Sequence, residues 1–502
     1  MIDFDSRKSI FLIGIKGTGM STLAIRLQAM GHEVSGSDIP ETFYTDEILA
    51  RYGIPIRETF SADNITESCD LIIYSTAYDE NLPEFNQARK FNIPTMTYAQ
   101  YLGHASQVLP SICIAGVHGK STVTSLTMHM AEAMGTEAFG VAGAFSIAEL
   151  SENTKAGASY KKTSNAYKIP DIGIFEACEY QRNFLCFTPR VLVITAIESD
   201  HNDYFPDHAA IEKAFQDVVQ QVQDGGRILL CADDDGCIGL AKHLNKSELL
   251  TRNIGVSWYG TRKACEAIAT TKDEDCYVIS DEHTDQQETV GSVHMRNQEE
   301  QTIPFVLRVC GGKLPLNVLA AYASLQELHR ATHGSDYSFQ KKEEILQSVS
   351  MYRGIKRRTE IYGNPGGILI IDDYAHHPTA IRATLRAIRT FYTPRRIVVD
   401  FASHTYTRTH ALLDEFARAF EDADVVVVND IYASAREKKG SITGKELARA
   451  ISEYNSIVCY KPDFQEAALS ALSFLKSGDA FVSLGAGQSW QVAKNITALL
   501  MG

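Results

Sequence analysis

An apolar run at Ile112-Cys-Ile-Ala115 ends in Gly116-Val117-His118-Gly119-Lys120-Ser121-Thr122, and a helical pattern from Val123 to Met134 follows. Strand, tight glycine turn, then helix is the layout of a loop that cradles nucleotide phosphates. The N–H groups of the first helical turn point at phosphate oxygens, and the helix dipole favours their charge. In that reading Gly116, Val117, His118, Gly119, Lys120, Ser121 and Thr122 surround nucleotide phosphates, Lys120 reaches the β- and γ-phosphates, and the Ser121 hydroxyl holds Mg²⁺. The spacing G-x-x-G-K-[ST] is two residues shorter than the usual consensus. An ordinary glycine-rich turn between strand and helix is the plain alternative.

Short strands and helical stretches alternate along all 502 residues, which indicates an α/β protein of about three domains. A hydrophobic content of 44% is ample for several cores. The longest apolar runs, such as Val425 to Val428, are too short to cross a bilayer, and Met1-Ile-Asp-Phe-Asp runs into a strand with no signal-peptide pattern. A net charge of −14 argues against nonspecific nucleic-acid binding. The ten cysteines are scattered without a C-x-x-C pair, and Cys113 and Cys310 read as buried thiols, which fits a reducing cytoplasm and gives no zinc signal.

Three segments emerge. The first, residues 1–107, opens with Ser9-Ile-Phe-Leu-Ile-Gly14-Ile-Lys-Gly17-Thr-Gly19-Met20-Ser21; a helix from Ser21 to Met30 follows, and the next strand ends in Ser37-Asp38. An acidic residue about twenty positions past the glycines is where a Rossmann-like unit contacts a ribose or sets its loop. The glycines run G-x-x-G-x-G, so alone they fit a generic doubly wound turn as well as a nucleotide site. A further strand runs from Leu71 to Thr76.

The second segment, residues 108–350, carries the phosphate loop and two further strand ends rich in carboxylates. Ile172-Gly-Ile-Phe-Glu176-Ala-Cys-Glu179 makes Glu176 the better Mg²⁺ ligand, with Glu179 behind it. Val191-Leu-Val-Ile runs into Glu198, Asp200, His201 and Asp203, where His201 is a candidate metal or substrate ligand. Residues 151–170 and 262–303 read as surface insertions or hairpins. The third segment, residues 351–502, opens with the cations Arg353, Lys356, Arg357 and Arg358, which suit phosphate or carboxylate. Strands then run into Asp372-Asp373-Tyr374-Ala-His376-His377-Pro378, into His404-Thr405-Tyr406-Thr407-Arg408, and into Gly485-Ala-Gly487. Pro378 fits the first position of a helix.

Taken in order, GIKGTGMS with VSGSD, AGVHGKST, FEACEY, IESDHNDYF, RRTE, DDYAHHPT, HTYTRT and GAG resemble the Mur ligases, the ATP-dependent amino-acid ligases of peptidoglycan synthesis, over nearly the whole chain. The branch that joins L-alanine to UDP-N-acetylmuramate is the most similar. The resemblance implies a cytoplasmic enzyme of three α/β domains. The N-terminal one is Rossmann-like (1–107) and binds the UDP-sugar. The central one is P-loop ATPase-like with a mostly parallel sheet (108–350) and takes ATP and Mg²⁺. The C-terminal one is Rossmann-like (351–502) and positions the amino acid. It also implies that Gly14, Gly17 and Gly19 approach the UDP diphosphate and that Met20, Ser37, Asp38, Ser75 and Thr76 contact the same substrate. Asn317 and Arg358 would touch ATP. Ser121, Glu176 and His201 would hold Mg²⁺. Lys120, His376, Asp373 and Arg408 would be catalytic, with Tyr374, His376 and Arg408 on the amino acid once domains close. The small-molecule partners would be UDP-N-acetylmuramate and L-alanine, with no nucleic acid or membrane partner.

Some positions depart from the family pattern. The adenine-side G-x-H-N-x-x-N reads Gly311-Gly-Lys313-Leu314-Pro-Leu-Asn317, so only Asn317 matches. The turn T-N-I-E reads Thr195-Ala196-Ile197-Glu198. In H-R-[FY]-T-R-T, Thr405 replaces one arginine expected near the amino-acid carboxylate, and losing such a charge-assisted contact costs about 1.5–3 kcal/mol; another cation, such as Arg358, is one substitute. Two other readings remain within reach of the sequence: the recycling ligase that attaches a preformed tripeptide to the same UDP-sugar, and a noncatalytic UDP-sugar-binding paralogue. A Rossmann dehydrogenase explains residues 1–107 but not Lys120 with its hydroxyls.

Overall fold

The apolar runs become strands of three largely parallel sheets in a computed structural model, which describes residues 6–147, 168–198, 204–205, 207–268, 275–285, 287–296, 298–432 and 440–501. Strands covered on both faces read as unbroken Val/Ile/Leu runs, and Val191–Ile194 and Val425–Val428 are buried throughout. The first sheet contains β1 (Ser9–Ile13), β2 (Glu33–Ser37), β3 (Ile56–Arg57), β4 (Leu71–Tyr74) and β5 (Thr95–Thr97), ordered β3-β2-β1-β4-β5 and all parallel. The chain reverses its direction of winding between β1 and β4, so the turns after these two strands open on one crevice.

The second sheet has nine strands: β6 (Ser111–Ala115), β7 (Ala138–Val141), β8 (Ile172–Glu176), β9 (Val191–Ile194), β10 (Arg227–Cys231), β11 (Gly255–Thr261), β12 (Cys276–Asp285), β13 (Glu288–Met295) and β14 (Ile303–Leu307). Their order is β14-β13-β12-β11-β10-β9-β6-β8-β7, with β6 parallel to both neighbours. The turn after β6 is therefore flanked by the ends of β8 and β9. The stretch 262–303, read as surface insertions or hairpins, supplies the neighbouring strands β12 and β13, while most of 151–170 lies outside the described residues. Cys265 and Cys276 are joined in a disulfide; Cys113 and Cys310 are buried and free, as expected.

The third sheet contains β15 (Glu360–Gly363), β16 (Leu369–Asp373), β17 (Ile397–Ala402), β18 (Val425–Val428), β19 (Val458–Tyr460) and β20 (Ala480–Gly485), ordered β15-β16-β20-β17-β18-β19. Only β15 runs antiparallel among the pairs in this sheet. Contacts divide the chain into two units. One holds the first two sheets with residues up to 283, 290–307 and 315–353; the other holds 284–289, 308–314 and 354–502. Within the first unit the helix Tyr98–Val108 packs on β5, β6 and β8, and Gly103 is needed there because a Cβ would fall 2.1 Å from the Cys186 carbonyl oxygen.

In the second unit the cation cluster divides. Arg357 is buried and corrects the reading of four cations as one recognition surface. Its guanidinium donates to Asp372 Oδ2 (3.1 Å), the carbonyls of Gly487 (2.7 Å) and Gly485 (2.8 Å), and Ser489 Oγ (2.7 Å). It fastens β16 to the turn after β20, because a planar fork can satisfy several acceptors at once. Replacing Arg357 by alanine leaves the Asp372 carboxylate buried without its counter-charge, so urea unfolding is expected to show a loss of about 3–5 kcal/mol. Arg357→Lys is expected to recover less than half of it.

Candidate active site

The phosphate loop follows from β6. Gly116 (φ 125°) and Gly119 (φ 82°) turn the chain into the helix Lys120–Ala133. Glycine is required at both places. A Cβ on Gly116 would sit 2.3 Å from Thr195 Oγ1, and one on Gly119 3.0 Å from Asn317 Oδ1. Thr195, at the end of β9, braces the loop through its hydroxyl, which donates to the carbonyls of Ala115 and His118. The Val117 N–H donates to the Ala196 carbonyl at 2.9 Å, so this predicted phosphate contact is occupied by the scaffold. The first N–H groups of Lys120–Ala133 have no partner inside the helix, as at any helix start, and such a terminus favours an anion. Ser121 and Thr122 are half-buried in that first turn, and His118 Nε2 lies 3.5 Å from Glu198 Oε2.

Lys120 does not reach outward. Its Nζ donates to the Gly116 carbonyl and to both oxygens of Glu179, at 3.1 and 2.9 Å. Burial pulls this ammonium's pKa down, but Glu179, Cys178 and Glu176 outweigh it and hold it at about 12. Burial likewise pushes the Cys178 thiol up to about 11, reinforced by Glu179. Glu176 Oε2 accepts from the Gly143 N–H. His201 and its neighbours Asp200 and Asp203 lie outside the described residues, and among the described residues no group of three or more His, Cys, Asp or Glu side chains is gathered to hold a metal. The donor chemistry nonetheless suits Mg²⁺: a hydroxyl at Ser121 and a carboxylate at Glu176 are hard oxygen ligands.

In the same unit a cleft of about 220 Å³ opens at the switch point of the first sheet, lined by Gly17, Thr18, Gly19, Met20, Ser75, Thr76, Tyr98, Ala99 and Asn183. Five expected substrate residues therefore share one cleft. Gly14, Ser37 and Asp38 do not line it. Asp38 is buried, and its carboxylate accepts from the Lys16 N–H (2.7 Å), the Ile39 N–H (2.9 Å) and the Tyr78 hydroxyl. The Ser37 carbonyl accepts from the Gly14 N–H at 2.8 Å. These two residues set the glycine loop. Sequence reasoning missed Tyr98 and Asn183, which join the cleft from other elements. Gly19 leaves room for the Tyr98 hydroxyl, which a Cβ would approach to 2.9 Å. Burial, then the charges of Glu176 and Cys178, raise the Tyr98 pKa far above its ordinary value. Two consecutive left-handed residues, Gln181 (φ 53°) and Arg182 (φ 56°), precede Asn183; such strain persists only where surroundings enforce it.

In the second unit the ends of β16 and β17 bring Tyr374, His376, His404 and Arg408 together. His376 Nδ1 lies 2.8 Å from the Tyr374 carbonyl, and its ring meets those of Tyr374 (4.9 Å) and His404 (5.8 Å). A carbonyl only accepts, so Nδ1 carries the proton and Nε2 is left as an acceptor. The Arg358 guanidinium lies 5.4 Å from the centre of the Tyr374 ring. Asp373, expected to be catalytic, accepts from the N–H groups of Thr359 (2.7 Å) and Ala375 (2.8 Å) and so shapes the turn that presents His376. Thr405 takes a left-handed φ of 67° as N-cap of the helix Tyr406–Ala411, its hydroxyl accepting from the Arg408 N–H.

Comparison with known proteins settles the lineage. Residues 9–108 match the catalytic domain of the Mur ligase family, residues 114–325 the Mur ligase middle domain, and residues 357–487 the glutamate ligase domain of Mur ligases. The UDP-N-acetylmuramate–L-alanine ligase of Treponema pallidum is 36% identical over 97% of this chain and 95% of its own length. The chain belongs to the Mur ligase family. Its fold is that of the UDP-N-acetylmuramate–alanine ligase of Thermotoga maritima (TM-score 0.74, 23% identity, 99% of each chain). It is also that of a murein peptide ligase of Psychrobacter arcticus (TM-score 0.66, 20% identity, 98% of each chain).

Burial, then the cations Arg408 and Arg358 and neighbouring His404, lower the His376 pKa from 6.5 to about 3. The folded state thus refuses a proton that the unfolded chain accepts below about pH 6.5. The His376 contribution to stability is present above that pH and is lost as pH falls toward 3. The His376 ring resonances, followed by NMR, are expected to show the neutral imidazole down to about pH 4; titration near 6.5 would contradict the buried geometry.

Proposed function

We propose that this Mur ligase joins L-alanine to the lactyl carboxylate of UDP-N-acetylmuramate, cleaving ATP to ADP and phosphate through an acyl phosphate, in cytoplasmic peptidoglycan precursor synthesis. The observation that carries the reading is the full-length similarity to the Treponema pallidum ligase. The phosphate loop and the switch-point cleft in one unit give it a chemical basis. In this reading residues 1–107 receive the UDP-sugar, 108–350 the nucleotide and 351–502 the amino acid.

A carboxylate must approach the γ-phosphate of ATP, and two such charges 4 Å apart repel by about 4 kcal/mol at an effective dielectric of 20. The Lys120 ammonium offsets that repulsion and stabilises the oxygens of the transferring phosphoryl group. Mg²⁺, when bound, adds the same neutralisation, with Ser121, Glu176 and His201 as its holders. Gly116 and Gly119 keep the loop backbone close to the phosphates, and Asn317 stands beside that backbone. Gly17, Gly19, Met20, Ser75 and Thr76 line the cleft that takes the UDP-sugar. On the second unit, the neutral His376 offers Nε2 to the incoming amine, while Arg408 takes the amino-acid carboxylate. Thr405 contributes no charge there, so the amino acid is held with one cation fewer than the family pattern provides.

Lys120→Ala is expected to abolish phosphate release, by about 10³-fold or more, while the muramyl nucleotide still binds in calorimetry; parallel loss of both would count against the assignment. Thr405→Arg is expected to lower the KM for L-alanine about tenfold with kcat little changed. A coupled ADP-release screen of the twenty amino acids and the tripeptide with UDP-N-acetylmuramate tests the substrate itself. Turnover with the tripeptide alone would transfer the chain to the recycling branch.

A further inference from the structure

The three protons of the Lys120 ammonium meet four oxygens: the carbonyls of Gly116 and Val117 (the latter at 3.5 Å) and both carboxylate oxygens of Glu179. An ammonium has three donors and no more. The side chains are 11% and 1% exposed, so the pair is largely shielded from water. As the loop stands, Lys120 has no donor left for a phosphate oxygen. We propose that Glu179 is a positioning residue that holds Lys120 against the loop floor, and that the β-phosphate of an incoming nucleotide must displace this carboxylate before the lysine can engage it. The inference rests on reading Gly116–Thr122 as a nucleotide loop. Nucleotide affinity is then set by two anions competing for one ammonium. Drawing Lys120 away removes one counter-charge from a carboxylate that is 1% exposed, which opposes the displacement in the absence of a further cation.

The test uses the full chain, without muramyl substrate or amino acid. Dissociation constants for ATP, ADP and AMP are measured calorimetrically in EDTA, so that no divalent cation replaces Lys120 at the carboxylate. Glu179→Gln keeps the shape but removes the competing charge. It is expected to tighten ADP and ATP about fivefold or more. AMP lacks the phosphates that Lys120 reaches and is expected to stay within about twofold. In a Lys120→Ala background the same substitution is expected to change none of the three. Unchanged or weakened ADP binding, in a variant with parental melting temperature and AMP affinity, overturns the proposal. If the glutamine variant does not fold, Glu179→Asp, which shortens the reach by one methylene, is expected to tighten ADP about twofold or more; no change overturns the proposal equally. No ligation is measured, so that failure leaves the ligase reading intact. A parent chain that binds no nucleotide would overturn both.

Discussion

The confinement of a single ammonium group, that of Lys120, organises the middle of this molecule. A buried cation must fill every donor and find a compensating charge, and both requirements are met by residues far apart in sequence: Gly116 and Val117 from the turn after β6, Glu179 from beyond the end of β8. The β9 end completes the arrangement, since the Thr195 hydroxyl ties down the same loop. Three adjacent parallel strands therefore fix one cation, and the left-handed glycines at 116 and 119 are what allow their turns to crowd together.

The same geometric rule recurs in the other sheets. In an open parallel sheet the turns at the carboxyl ends of neighbouring strands face one crevice where the winding reverses. In the first sheet this brings the turns after β1 and β4 together at the cleft of Gly17 and Ser75. In the third the turn after β16, carrying His376, meets the turn after β17, carrying His404, across the end of the intervening β20. Repetition of one physical device explains why the chemistry-bearing residues of a long chain appear as short polar runs after apolar ones.

That is also why part of the site was legible in the sequence. Gly116 to Thr122, Gly17 to Met20, Ser75, Thr76 and Pro378 sit where apolar runs stop, and stopping points are local features. The roles of Asp38, Asp373 and Arg357 were not legible, because a carboxylate on a ligand and a carboxylate on a backbone N–H look alike until the fold brings the partner in. Arg357 and Arg358 are adjacent in sequence, yet one is buried against Asp372 and the other lies exposed over Tyr374. Tyr98 and Asn183 carry no signature at all; they enter the cleft only because the helix Tyr98–Val108 and the strained turn at Gln181 and Arg182 pack beside it. His201, by contrast, was singled out by its position after β9 and lies outside the described residues.

The third sheet shows what such site-building demands of a core. Asp372, Ser483 and Asp400 stand abreast on three adjacent strands and are fully buried. Burial pushes Asp400 up to about 8, with Asn429 opposing and Asp372 adding to the shift. Burial also raises Asp372, to about 6, though Arg357 pulls it down. A hydrophobic row would pack at least as well at this depth, since buried polar groups rarely gain stability over apolar ones. What the polar row supplies is direction. Ser483 donates to the Ser489 carbonyl, Asp372 holds Arg357, and Arg357 holds the carbonyls of Gly485 and Gly487. Apolar contacts are non-directional and would let these turns slide, whereas hydrogen bonds fix them to within a few tenths of an ångström. The Arg357 carbonyl in turn accepts from the Tyr374 N–H at 2.7 Å, so the register of the turn carrying His376 is set from inside the sheet.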